Sequence, residues 1–569
     1  MSNNINGVLF QFFHWFLLED DSVQNDKSLW AFLKEEADHL RKIGIDSVWV
    51  PPAYKGASTD MSRENRSKGY DVYDRFDLGE FNDRGAVRTK YGTKEELHEA
   101  INALHGYKKS VSGNLVKDDN KRYIQVYGDI VINHQAGGDE DDFWEAIRVD
   151  KDDRNNERWK PGLESGEIEI KAFTKFTFAA RANKYSSFQW SSRHFDSVDT
   201  AAQIRQNGNI FNEQGGKYIY RFIANEAGYN PQFKNFEKWV SLEKGNYDYL
   251  QDSDFDYGRF DVREEVKFWG QWFVKEIGLD GVRLDAVKHI SAGYIREWLG
   301  HVRAQTGKPL FAVGEYIAYS GQSSILHNYL TQVTASGEYP QDISLFDFPL
   351  RFLFRDASLK GDRFDLRALN YNTLTAEQPA KAVTFVENHD YQFGREFESH
   401  VQEWFKPLAY AFILLRDRGY PCIFFPDYYS FNNNAYHEGK PKGRDYLDLL
   451  LQLRKEFALG EERYYAERTV AGWVRMGFTP NAKGAMAVAI NTAARAVQSM
   501  RMNTGRFNKR FYHLATIKFI DNAFLVVRGR YDLYGDKAEG LWTDANGGGD
   551  FLVDSGCVSI WIEDGTGLS

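Results

Sequence analysis

Short runs of apolar, β-branched or aromatic residues recur along the chain, with helix-period segments between them. In order the runs are VLFQFFHW (8–15), SVWVPP (47–52), QVYGDIVIN (125–133), GVRLDAV (281–287), LFAVGEY (310–316), ISLFDFP (343–349), VTFVENHD (383–390) and CIFFPD (422–427). Runs of this length and composition predict eight buried strands. The intervening segment SLWAFLKEEADHLRKIG (28–44) keeps its apolar residues on one face and ends at Gly44. Thr93 followed by Lys94, Glu95 and Glu96 is a capping box, opening a helix over 93–106. Segments 266–278, 296–307 and 406–419 follow the same period, each closed by a glycine. Strands alternating with helices predict a parallel sheet of the α/β class, and eight of them predict a closed (β/α)8 TIM barrel.

Two stretches depart from that rhythm. Some 110 residues rich in Gly, Asn, Asp and aromatics follow the third strand, and a structureless loop of about that length is rare, so they predict an inserted domain. After Gly460 short alternating runs such as VAGWVRMGF, AMAVAIN and CVSIWIE predict an antiparallel C-terminal β-domain, a sandwich. The expected division is barrel over 1–134, inserted domain over 135–245, barrel again over 246–460 and the C-terminal domain over 461–569.

The fourth run carries the first chemical signal. Alternation along a strand puts Arg283 and Asp285 on one face and Val282, Leu284 and Ala286 on the other. In a barrel the second face packs on the helices, and the first points inward, toward the active-site mouth at the strand's carboxyl end. A carboxylate beside a guanidinium is stabilised as the anion, as a nucleophile requires. Glu315 ends the fifth run, His389 and Asp390 end the seventh, and Asp129, Asn133 and His134 lie along the third. Polar residues gathered at one rim imply catalysis, not a purely structural ion pair. Two carboxylates on adjacent strand ends, about 5 Å apart, match the pair that retaining glycoside hydrolysis uses.

Composition narrows the partners. The net charge of −10 over 569 residues repels phosphate backbones and excludes nucleic acid as an expected partner. The 15% aromatic content fits either core filling or flat surfaces for stacking on sugar rings. Cys422 and Cys557 form no disulfide framework and have no metal-ligand spacing. The apolar stretch 7–18 has no basic residue before it and is interrupted by Gln11 and His14, which makes it a poor signal peptide. No run approaches the roughly 20 apolar residues of a membrane span. A cytoplasmic, monomeric enzyme with no membrane partner is expected.

Four motifs, DIVINH (129–134), GVRLDAVKH (281–289), GEY (314–316) and FVENHD (385–390), occur in the order found in the α-amylase family of glycoside hydrolases. The chain resembles that family over most of its length, most of all the liquefying amylases of bacilli and their intracellular relatives. SVWVPPAYKG, VRTKYGTKEEL, NYDYL and WFKPLAYAFIL also have counterparts there. The resemblance implies Asp285 as nucleophile, Glu315 as general acid and then base, and Asp390 as stabiliser of the oxocarbenium-like transition state. It implies that Arg283 keeps the nucleophile ionised, that His134 and His389 bind hydroxyls of the reacting glucose, that Tyr70 stacks on that ring and that Lys288 reaches a neighbouring subsite. It further implies one structural Ca2+ held by Asn133, Asp248, Asp254 and the backbone carbonyl of His289, a ligand set suited to a hard cation. Relatives can carry a second calcium–sodium cluster. Asp196 and Asp256 match it, but Gly258 stands where a carboxylate would be and Glu237 lies only near a ligand position, so one ion is expected. Segments 105–123 and 201–237 are longer than their counterparts.

The expected activity is retaining endo-hydrolysis of α-1,4-glucosidic bonds in starch, glycogen or maltodextrins. A transglycosylase or exo-acting maltooligosaccharide enzyme would use the same triad. A non-catalytic glucan-binding relative would lack it. Nucleotide chemistry is disfavoured because neither GxGxxG nor the GxxxxGK[ST] loop occurs.

Overall fold

The computed structural model describes residues 6–17, 27–59, 67–110, 114–155, 167–206, 208–212, 218–223, 236–334, 341–429, 443–478, 481–566 and 568. Each of the eight apolar runs contributes one strand to a closed parallel barrel. The strands are β1 (Leu9–Gln11), β2 (Ser47–Val50), β3 (Gln125–Ile130), β4 (Gly281–Leu284), β5 (Phe311–Gly314), β6 (Ser344–Phe346), β7 (Ala382–Phe385) and β8 (Tyr420–Phe424). They pair in chain order and β1 closes on β8, Leu9 opposite Cys422. Their residues are almost all buried, as strands covered on both faces must be.

The helices begin and end where local chemistry dictates. α1 (Leu29–Ile43) is capped by the Ser28 side chain and stops at Gly44, in the left-handed region at φ 94°. α2 (Lys94–Leu104) starts with the predicted capping box, Thr93 Oγ1 accepting from Glu96 N and Glu96 accepting from Thr93 N. α3 (Phe260–Ile277) and α4 (Ala292–Thr306) begin several residues before the predicted 266 and 296, and their first turns already bury Val262 and, in α4, Ala292, Tyr294 and Ile295. α5 (Lys406–Leu415) ends before the predicted Gly419. Arg416 leaves the helix at ψ 168° to make a buried ion pair with Glu462 in the following domain, Nη2 to Oε1 2.8 Å.

After β3 the chain enters an eight-stranded sheet whose outermost strand is His134–Gln135. Ser253–Phe255 pairs with it and with Phe195–Val198, so the sheet runs to Phe255 before the chain returns to the barrel. The longer segment 105–123 contains a hairpin, Tyr107–Lys109 with Leu115–Lys117; much of 201–237 lies outside the described residues. From Glu462 to Glu563 one antiparallel sheet faces a second, Gln498–Asn503 with Gly548–Val553. Val474, Met500, Met502, Phe551 and Trp561 fill the space between them. Among the described residues no helix is long and apolar enough to cross a membrane. Both cysteines are free and buried.

Candidate active site

Parallel register sets the geometry at the barrel mouth. Arg283 lies directly opposite Asp129 on β3, and Leu284 opposite Gly314 on β5, so Asp285 and Glu315 leave their strands side by side. Ala286 then turns the chain with φ 50°, a conformation uncommon for a residue with a side chain. Its N–H points at Glu315 Oε2, 3.3 Å away.

Arg283 is the hub. Nη1 contacts Asp129 Oδ1 at 2.7 Å and Asp285 Oδ1 at 2.5 Å, while Nη2 contacts Glu315 Oε2 at 2.7 Å. Asp129 is wholly buried and also accepts from Trp49 Nε1 at 3.0 Å and the Tyr70 hydroxyl at 2.9 Å. Burial disfavours the Arg283 cation, but Asp129, Glu315 and Asp285 outweigh it and hold the guanidinium charged. Burial pushes Asp285 and Glu315 up, each to about 7, with Arg283 opposing and the neighbouring carboxylates, Asp390 among them, adding to the rise. One guanidinium cannot neutralise this many carboxylates, so the pair retains a proton near neutrality.

An aromatic and imidazole wall stands beside this cluster. Tyr70 stacks on His389 with centroids 5.1 Å apart, and Trp15 stacks on Tyr70 at 6.0 Å. Gln11 Nε2 lies 3.1 Å from His389 Nδ1; with the amide donating, the ring proton sits on Nε2, which faces Asp390 Oδ2 at 3.4 Å. Arg395 Nη2 reaches the other oxygen of Asp390 at 3.5 Å, and its guanidinium covers the Trp15 ring at 3.4 Å. His134 Nε2 donates to the Tyr70 carbonyl at 2.8 Å. Burial lowers both His134 and His389 to about 4, leaving neutral imidazoles. Lys288 sits on the opposite side, its ammonium 2.8 Å from Glu243 and over the Tyr247 ring at 4.6 Å.

The structure thus brings together Asp285, Glu315, Asp390, Arg283, Tyr70 and His389, with His134 held behind Tyr70 and Lys288 tied to the inserted segment. Gln11, Trp15, Trp49 and Arg395 carry no sequence signal of a role here. Trp15 and Trp49 read as strand-type apolar residues, and Arg395 lies in a loop with no period. Only their closeness to the triad gives them meaning.

A second buried group lies where the inserted sheet meets the barrel. Ligating oxygens of Asp196, Asp248 and Asp254 all lie within 4.8 Å of one another. The family resemblance matches Asp196 to a second cluster; the pairing of Phe195–Val198 with Ser253–Phe255 sets it beside Asp248 and Asp254, and Asp256 also acts on it. Asn133 Nδ2 donates to Asp254, and Asp248 accepts from Glu237 N at 2.7 Å. Asp196 Oδ2, Asp254 Oδ2 and Asn133 Oδ1 are buried acceptors with no hydrogen-bond partner among the described residues. Burial and mutual repulsion raise all three carboxyls well above the ordinary range. Unpartnered oxygens this close together fit a hard cation. His289 donates from Nδ1 to the Tyr247 carbonyl at 2.6 Å, beside Asp248.

No family model matches the chain. It is 39% identical to an α-amylase of Geobacillus stearothermophilus over 99% of its own length and 88% of that protein's. It is 38% identical to an α-amylase of Bacillus licheniformis, covering 98% of this chain and 94% of that one. The cytoplasmic α-amylase of Escherichia coli K12 is 35% identical, covering 98% and 99%. The chain belongs to the α-amylase family of glycoside hydrolases. The solved α-amylase of Geobacillus thermoleovorans in complex with acarbose shares the fold, with a TM-score of 0.57 and 16% identity over 99% of each chain.

Proposed function

We propose that the protein hydrolyses internal α-1,4 bonds of starch-like glucans with retention of anomeric configuration. The carrying observation is that both nitrogens of one guanidinium fix Asp285 and Glu315, which keeps the two carboxyls close enough to address one glycosidic bond. Retaining enzymes use a spacing of about 5–5.5 Å. Asp285, its negative charge supported by Arg283, attacks the anomeric carbon. Glu315, holding the proton that the crowded site retains, gives it to the departing glycosidic oxygen. Water then enters, Glu315 takes its proton, and the covalent bond to Asp285 breaks. Asp390 and the neutral His389 hold hydroxyls of the reacting ring, and Tyr70 supplies the flat surface under it, with His134 supporting it from behind. Asp129, reached by Arg283, Trp49 and Tyr70, is the buried anchor that keeps this frame aligned.

The acidic group is the proposed Ca2+ site, with Asp196, Asp248 and Asp254 as ligands and Asn133 and the His289 carbonyl completing the set. The ion would supply positive charge that locks the inserted sheet to the barrel. A cytoplasmic location is supported by the cytoplasmic relative and by two cysteines that stay unpaired. A restricted product length is the second reading, favoured by the 35% identity to a glucan 1,4-α-maltohexaosidase of Bacillus sp. strain 707, covering 98% of this chain and 93% of that one. Incubation with soluble starch and with maltoheptaose tests both. Rapid loss of iodine colour with few reducing ends supports endo-hydrolysis. Products longer than maltoheptaose would instead mean a transferase.

A further inference from the structure

Loop 239–243 crosses the rim between the ends of β4 and β5, on the side away from the Tyr70–His389 stack. It is pinned there. Ser241 N donates to the Lys288 carbonyl at 2.9 Å, the Ser241 carbonyl accepts from Tyr247 N at 2.8 Å, and the Ser241 side chain lies near enough to Tyr316, the residue after Glu315, to act on its hydroxyl. Glu243 holds the Lys288 ammonium at 2.8 Å. Yet on this tethered loop the Trp239 side chain is 83% exposed, with its backbone in the left-handed region at φ 70°, and Leu242 is 80% exposed. A tryptophan this open makes no core contribution, and a left-handed backbone at a bulky residue marks a position held for a purpose.

We infer that Trp239 is a substrate-binding residue that stacks on a glucose unit of the leaving portion of the glucan. This deepens the proposed function and rests on it. The placement follows from the acid: Glu315 protonates the departing oxygen, so the chain that departs lies toward Glu315, Tyr316 and Lys288, where the loop sits. A pyranose ring offers an apolar face of C–H groups and a rim of hydroxyls. The indole supplies a flat apolar partner for the face, and the Lys288–Glu243 pair supplies charged partners for the rim. The same surface would hold an acceptor sugar before water arrives, so Trp239 also governs how often the glycosyl-enzyme is transferred instead of hydrolysed.

The test compares wild type, Trp239→Phe and Trp239→Ala on maltoheptaose, then on maltoheptaose with added maltose as acceptor. Trp239→Ala should raise KM about ten-fold, equivalent to about 1.4 kcal/mol, and lower transfer to maltose in parallel. Its kcat should stay within roughly two-fold, since lost uniform binding moves KM alone. Trp239→Phe should recover most of both. In a Glu315→Gln background, maltoheptaose should change tryptophan fluorescence less when Trp239 is also replaced. Equal KM and transfer yield in all three proteins would overturn the inference. So would a loss confined to kcat that phenylalanine does not restore. A wild type that cleaves no glucan at all would refute the proposed function itself, a different failure.

Discussion

At the barrel mouth Asp129, Asp285 and Glu315 crowd round Arg283, with Asp390 beside them; at the junction with the inserted sheet Asp196, Asp248 and Asp254 crowd together with no side-chain cation bonded to them among the described residues. Both sites gather buried carboxylates whose mutual repulsion and desolvation would otherwise destabilise the fold. In the first, β4 itself delivers the countercharge. In the second, Arg154 acts on Asp254 but spends its donors on backbone carbonyls, Tyr249 O at 2.6 Å among them. The difference teaches where each site's charge comes from. The mouth is complete in the chain and can hold one proton in play for chemistry, whereas the junction gathers carboxylates without a bonded side-chain countercharge among the described residues, which is why we propose it as the Ca2+ site.

Breaking the mouth should have the largest effect. Glu315→Gln removes the proton donor but keeps shape, so kcat should fall by about 10²–10⁴-fold while maltoheptaose still binds; single-turnover kinetics and equilibrium binding measure the two. Arg283→Met should cost both activity and about 3–5 kcal/mol of stability, read by denaturant unfolding, because it strands buried charges. At the junction the reverse holds: nothing in the chain needs mutating. Excess EDTA should lower Tm, since an ion at 100 times its Kd stabilises by about 2.7 kcal/mol, and Asp196→Asn should shrink that shift by removing one ligand. An unchanged Tm in EDTA would remove the calcium claim.

The smallest effect is a pH slope. Asp285 and Glu315 rise from ordinary values of 3.8 and 4.5 to about 7 in the fold. Between those values the folded site binds more protons than the unfolded chain, so its contribution to stability declines as pH rises through that window. Glu315→Gln should flatten the slope in urea titrations from pH 4.5 to 7.5. Activity should fall with an apparent pKa that belongs to the pair, as the shared proton is lost.

The barrel and the mouth were legible in the sequence because their signals are local. Strand composition and order can be read run by run, and Arg283 and Asp285 on one face of a buried strand place charge inside the barrel, where it must serve chemistry or be paired. The capping box at Thr93 was equally local. The junction was legible only through the family resemblance, which named Asp248 and Asp254 as ligands and matched Asp196 to a second cluster; the antiparallel pairing that sets Asp196 beside them is announced by no local pattern. The same holds for Trp49 and Gln11. Their N–H groups matter only because β2 pairs with β3, which brings Trp49 to Asp129, and because β1 closes on β8 beside β7, which brings Gln11 to His389.

The most direct test of the central claim is to react the Glu315→Gln protein with α-maltotriosyl fluoride, whose leaving group needs no acid, and to map the product by peptide mass spectrometry. A maltotriosyl adduct on the peptide containing Asp285, absent in Asp285→Asn, is the predicted result. Turnover with no adduct and a β-configured first product would contradict a retaining mechanism on this carboxylate.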